Sequence, residues 1–191
     1  MNVLDKKTIK LERITSELDH FVLAFVRIIE KHTFYCIISG YLAILFGRSR
    51  ATEDIDMFIE RMDKFSFLKM YQELKEKGFW CLNTEKGEDI FEYLQEGVSV
   101  RFARKKEIIP NMEIKFAKKP LDEQSLQDTV KVVTDKGTMI ISSLESNIAY
   151  KRYALKSDKD IEDAKYLQEI FKEYIDLKKL KKIKDQIDHD A

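Results

Sequence analysis

Two periods of hydrophobic and polar alternation run along this chain. Between residues 16 and 32, Leu18, Phe21, Val22, Phe25, Ile28 and Ile29 recur at helical spacing, which predicts an amphipathic helix with Ser16 as its N-cap. Phe34–Ile38 reads as a buried strand, broken by Gly40, after which Tyr41–Phe46 fits a short apolar helix ending near Gly47. In Asp54–Ile59 the period becomes two: Asp54, Asp56 and Phe58 point one way, and Ile55, Met57 and Ile59 the other. Lys64–Lys77 predicts a helix stopped by Gly78, followed by the short apolar run Phe79–Leu82. Gly87–Gln95 predicts a further helix, and Val98–Phe102 and Met112–Phe116 two strands with Pro110 at the turn between them. Pro120 precedes another short helix, and Lys131–Val133 with Thr138–Ile141 form a hairpin about Asp135-Lys136-Gly137. From Ser143 onward the pattern is helical, with a break at Ser157.

These elements predict an α/β (α+β) fold: a small mixed sheet flanked by helices over residues 1–142, with a helical extension over 143–191 packed on it. Composition adds a core and removes several classes. Hydrophobic residues make up 44% and aromatics 11%, enough to exclude wholesale disorder. Lys and Arg total 34 against 34 Asp and Glu, so a uniformly basic nucleic-acid coat is excluded. Cys36 and Cys81 lie in apolar segments without a CxxC pair, which predicts buried thiols in a reducing compartment and no structural zinc. Met1–Lys10 lacks the apolar core of a signal peptide, and the apolar run 34–46 is too short to span a bilayer. A cytoplasmic protein without membrane contact is expected, with oligomerisation left open.

The segment richest in chemistry runs from Ser39-Gly40 to Asp54-Ile55-Asp56. A strand ending at glycine before a helix lets a phosphate approach backbone N–H groups closely. Asp54 and Asp56, two apart on a strand, aim both carboxylates to one side, where their mutual repulsion is relieved by a divalent cation. Mg²⁺ is held in this way, by one or two carboxylates plus substrate phosphates. Alone, an Asp-x-Asp pair is more often a solvated strand face.

The stretch Gly40 … Arg48-x-Arg50-x-Thr52-x-Asp54-Ile55-Asp56 resembles the nucleotidyltransferase superfamily with the DNA polymerase β-type fold, in its minimal AbiEii/MNT-like branch. Tyr41 departs from that pattern, which has Gly or Ser after the glycine and uses the hydroxyl on a phosphate. The resemblance implies a third carboxylate on a later strand, for which Glu113 is the first choice and Glu92 and Glu96 the alternatives. It implies two Mg²⁺ ions held by Asp54, Asp56 and Glu113, with Glu113 as ligand or base. Leu144–Lys151 followed by Lys159-Asp160-x-x-Asp163 is similar to the branch's later motifs. By that resemblance Ser39, Gly40, Arg48, Arg50 and Lys151 contact the nucleotide, while Asp160 or Asp163 orients Lys151.

The expected activity is Mg²⁺-dependent transfer of a nucleoside monophosphate from an NTP to an acceptor that is an RNA, a protein or a small molecule. The competing expectation is a non-catalytic regulatory or interaction protein on the same fold, such as a toxin–antitoxin or defence component. For Arg48 and Arg50 the plain alternative is pairing with Glu53 or Asp54, and for Lys151 an ordinary exposed helix lysine. Arg104-Lys105-Lys106 with Lys115, Lys118 and Lys119 brackets Glu113 and is placed to receive a polyanionic acceptor such as RNA. The lysine-dense stretch 178–184 reads as a frayed, solvated terminus. His20, His32 and His189 have no partner spacing, and Tyr150 and Tyr153 read as packing residues.

Overall fold

The computed structural model describes residues 2–189. Strands β1 (Asn2–Asp5) and β2 (Thr8–Lys10) lead to α1 (Glu17–Ile29), β3 (Tyr35–Ile37), α2 (Gly40–Leu45) and β4 (Asp54–Ile59). There follow α3 (Lys64–Glu76), β5 (Phe79–Cys81), α4 (Gly87–Glu96), β6 (Val100–Arg104), β7 (Asn111–Phe116) and α5 (Pro120–Gln127). The hairpin of β8 (Thr129–Val133) and β9 (Thr138–Ser142) precedes α6 (Leu144–Ala149), a π-helical turn over Tyr150–Leu155, α7 (Asp158–Ile170) and α8 (Leu177–His189). The strands form one mixed sheet in the order β1-β2-β8-β9-β3-β4-β7-β6-β5.

Local chemistry sets several boundaries. Ser16 accepts from the Asp19 N–H while the Asp19 carboxylate accepts from the Ser16 N–H, a reciprocal cap that fixes the start of α1. Ser143 and Ser157 cap α6 and α7 in the same position, each accepting from the N–H three residues on. Gly78 follows α3 with φ +80, where a side chain is disfavoured.

The sheet is larger than the pattern predicts. β1 and β2 lie in a polar segment, and β2 is held by parallel pairing to β8 (Ile9 beside Val132), a long-range contact that local alternation does not encode. The helical region also breaks twice. Lys156, at φ 61, ends the π-helical turn next to Ser157, and a second interruption separates Ile170 from Leu177. The lysine-rich terminus is docked: Leu180, Ile183 and Ile187 of α8 are buried, and Lys179 bonds both Asp128 (2.6 Å) and Glu145 (2.8 Å). An apolar stripe at helical spacing beneath the lysines outweighs their solvation.

The two faces of the sheet do different work. Ile55, Met57 and Ile59 of β4, Met112, Ile114 and Phe116 of β7, and Phe102 of β6 are buried on one face under α1, α3 and α4. Ring contacts lock these layers, among them Phe25 to Phe102 (centroids 5.8 Å apart), Tyr71 to Phe102 (6.1 Å) and Phe91 to Phe116 (6.2 Å). Each such side chain contributes about 1.5–3 kcal/mol on burial, so the register of β4 is fixed by its apolar half. The polar half, Asp54, Asp56 and Phe58, is thereby turned to the other face, under α5 and the C-terminal helices. Cys36 and Cys81 are buried free thiols. Among the described residues, no helix is long and apolar enough to cross a membrane.

Candidate active site

Asp54, Asp56 and Phe58 of β4 stand beside Asn111, Glu113 and Lys115 of β7 in parallel register. Asp56 and Glu113 are thus direct neighbours on the site face, and Asp54 is exposed at the start of β4. Burial, with the charges of Glu113 and Asp54, pushes the Asp56 carboxyl above its ordinary pKa, against the opposing influence of the Ser39 hydroxyl and Lys151. Glu113 goes the other way. Burial raises it, but Ser99 donates to Oε1 (2.6 Å) and Arg101 to Oε2 (2.7 Å), leaving it below the ordinary range. Arg101 is Glu113's antiparallel partner on β6.

The glycine turn is built by Ser39. Its backbone sits at φ 68, ψ −137, a costly conformation for a residue with a side chain, and its N–H is held by Asn147 Oδ1 at 3.0 Å. A Cβ on Gly40 would lie 3.1 Å from an Arg50 guanidinium nitrogen, so glycine here makes room for that arginine. Tyr41 is wholly buried and points away from the site, its hydroxyl donating to Asp19 Oδ1 (2.6 Å), which Arg13 also clamps (2.7 and 3.0 Å). The motif's departure at position 41 therefore places a core hydroxyl in α2, while the hydroxyl at the site comes from Ser39.

The basic residues of the motif meet the C-terminal carboxylates. Lys151 is 1% exposed and donates to Asp160 and Asp163, both at 2.9 Å. Arg48 and Arg50 also pair with Asp163, and Arg48 with Glu162. Neither arginine pairs with Glu53 or Asp54, because α7 brings Asp163, wholly buried, between them and Lys151. Burial raises the Asp160 carboxyl, but hydrogen bonds from Ser157 and Lys151 outweigh this and hold it below its ordinary pKa.

A cavity of about 300 Å³ lies between the polar sheet face, α5 and the C-terminal helices. Ser39, Asp56, Glu113 and Lys151 line it; Gly40, Asp54, Arg48, Arg50, Asp160 and Asp163 do not. Sequence reasoning passed over Ser99 and Arg101, which hold Glu113, and Asn147, which holds the Ser39 turn. The alternation of Ser99 and Arg101 opposite Glu113 was the available signal, since it places them on the same sheet face.

The donor chemistry bears on the implied metal. Asp54 and Asp56 are hard oxygen donors, and Asp56 is raised first by burial and then by the charges of Glu113 and Asp54, all of which a cation would offset. Glu113 is different, because both of its oxygens are already bonded. Among the described residues no group of three or more His, Cys, Asp or Glu side chains is gathered for an ion. The pair fits a hard divalent cation; the expected triad is a pair plus an ion-paired glutamate.

The class of fold follows from comparison with solved structures. The chain superposes on an antigenic nucleotidyltransferase-like protein from Paracoccidioides brasiliensis with TM-score 0.52 and 17% identity, over 89% of this chain and 85% of that one. It superposes equally on JHP933 from Helicobacter pylori, with TM-score 0.52 and 17% identity, over 87% and 72% of the two chains. The fold is nucleotidyltransferase-like. No protein-family model and no curated protein matches the sequence.

Proposed function

We propose that the protein transfers a nucleoside monophosphate from an NTP to an acceptor hydroxyl with Mg²⁺, in the manner of the minimal branch that its Gly40–Asp56 motif resembles. The observation that carries this reading is the register of Asp56 beside Glu113 on adjacent parallel strands, in a cavity they share with Ser39 and Lys151. The acceptor oxygen would bond to the α-phosphorus as the α–β bridging bond breaks, releasing pyrophosphate and the hydroxyl proton.

Asp54 and Asp56 would hold Mg²⁺, which supplies charge neutralisation of the triphosphate and a lower pKa for the attacking hydroxyl. Ser39 lines the cavity with Asp56, and its hydroxyl favours the ionised carboxylate there. Lys151, with two of its three N–H groups on Asp160 and Asp163, keeps one donor for a phosphate oxygen. Glu113, its proton affinity lowered by Ser99 and Arg101, is better suited to shape the field at Asp56 than to accept a proton. A second ion would require Glu113 to exchange Arg101 for metal.

Incubation with α-phosphate-labelled NTPs, Mg²⁺, and total RNA or cell lysate is the test. Label transferred by the wild type and abolished by Asp54→Ala with Asp56→Ala supports the enzyme. The Glu113–Arg101 ion pair favours one second reading, a non-catalytic cytoplasmic interaction protein such as a toxin–antitoxin or defence component. Co-purification of a partner without any label transfer would support that reading instead.

A further inference from the structure

The positive charges that the motif offers for a triphosphate are already neutralised, although Lys151 keeps one N–H donor. Arg48, Arg50 and Lys151 meet Glu162, Asp160 and Asp163, three cations against three carboxylates, and the cluster has no net charge to give a polyanion. The cavity itself contains two further ammonium groups, Lys115 and Lys119. Lys115 is on β7, two residues beyond Glu113 on the same face and beside Phe58; Lys119 immediately precedes Pro120 at the start of α5. Among the described residues neither ammonium has a hydrogen bond or ion pair; Lys115 acts on Glu113 only through its charge. Their neighbour Lys118 differs, for it donates to the Glu96 carbonyl at 3.3 Å and does not line the cavity.

Lys115 is half-buried and Lys119 exposed, so both ammonium groups are free to meet an anion that enters the cavity they line. The same space holds Ser39 and Asp56 at one side and the apolar Leu121, Leu155 and Ile183 at another. That combination suits a molecule with a polyanionic arm and an apolar ring, and the volume is of the size that small-molecule sites have. We infer that Lys115 and Lys119 are the triphosphate-binding cations of this cavity. The inference rests on the proposed nucleotidyl transfer and adds to it residues that the motif does not contain.

Calorimetric titration of ATP, GTP, CTP and UTP in turn, with Mg²⁺, into the full-length wild type and Lys115→Gln/Lys119→Gln tests it. Affinity for the preferred NTP is expected to fall at least about tenfold, equivalent to about 1.4 kcal/mol. The preference for that triphosphate over its monophosphate should narrow, and raising salt should cost the variant less affinity than the wild type. Lys118→Gln should bind as the wild type does, and Lys115→Arg/Lys119→Arg should restore affinity, which excludes misfolding as the cause. Equal NTP affinity in wild type and the Gln variant would overturn the inference and leave nucleotidyl transfer standing. So would intact NTP affinity with lost label transfer, which would assign the lysines to the acceptor. No NTP binding by the wild type would overturn both.

Discussion

Two charged clusters lie side by side in this molecule and solve opposite problems. In the first, Asp163 is wholly buried among Arg48, Arg50 and Lys151, and every charge has a partner. In the second, Asp54, Asp56 and Glu113 share one sheet face; Arg101 neutralises only Glu113, and Asp56 is left crowded. The first cluster ties α7 and the π-helical turn to the loop after α2. It is an assembly of chain against chain. The second keeps its imbalance at a cavity, where folding gains nothing from it. Charge satisfied inside the protein holds the fold, and charge left unsatisfied beside a cavity is available to a ligand.

The comparison is broken most severely at Asp163. Asp163→Ala strands three cations, one of them the buried Lys151, and should destabilise the protein by about 3–5 kcal/mol in urea denaturation. A loss below about 1 kcal/mol would mean that the first cluster is not structural. Tyr41→Phe removes the hydroxyl that bonds Asp19 and should cost about 2 kcal/mol, because the acceptor is charged and buried. NTP affinity should stay unchanged in that variant, since Tyr41 faces the core.

Asp160 of the first cluster and Asp56 of the second should also answer pH with opposite signs. Asp160 is lowered in the fold, so the unfolded chain binds more protons than the folded one as pH falls. Its stabilisation is complete above the ordinary carboxylate pKa of about 4 and is lost as pH falls below it. Asp56 is raised, so the folded chain binds the proton more tightly, and its contribution to stability decreases as pH rises from about 4 through its folded value. Urea midpoints measured from pH 3 to 7 should therefore lose acid sensitivity in Asp160→Asn and lose the opposing slope in Asp56→Asn. Matching slopes for the two variants would contradict the distinction.

The smallest expected effect on stability is at Arg101. Its pair with Glu113 is half exposed, so Arg101→Gln should change stability by less than about 1 kcal/mol. It should nevertheless raise affinity for Mn²⁺, because Glu113 regains an oxygen for metal. An unchanged Mn²⁺ affinity would show that the ion pair does not compete with a cation.

Much of this arrangement was legible in the sequence, and the limits are physical. The alternation in Asp54–Ile59 placed both aspartates opposite the core because Ile55, Met57 and Ile59 allow only one register. Glu113 was legible as the strand carboxylate, and the structure places it beside Asp56. Its ion pair was only half legible: alternation put Arg101 on the same face, but the antiparallel register that sets it opposite Glu113 depends on the turn between the strands. The pairing of Arg48 and Arg50 was not legible, since their partner Asp163 is more than a hundred residues away and arrives on α7. The burial of Lys151, expected as a nucleotide contact, was not legible, because a single lysine carries no local sign of burial. β1 and β2 escaped detection for the same reason: they are specified by their neighbour β8, not by their own alternation.

The central claim, that the unbalanced strand face exists to bind a metal–nucleotide, is tested most directly by calorimetry of NTP with Mg²⁺ on the wild type and on Asp54→Ala/Asp56→Ala. Saturable, Mg²⁺-dependent binding by the wild type, abolished in the folded double variant, is the predicted result. Absence of binding in the wild type, or equal binding in both proteins, would contradict it.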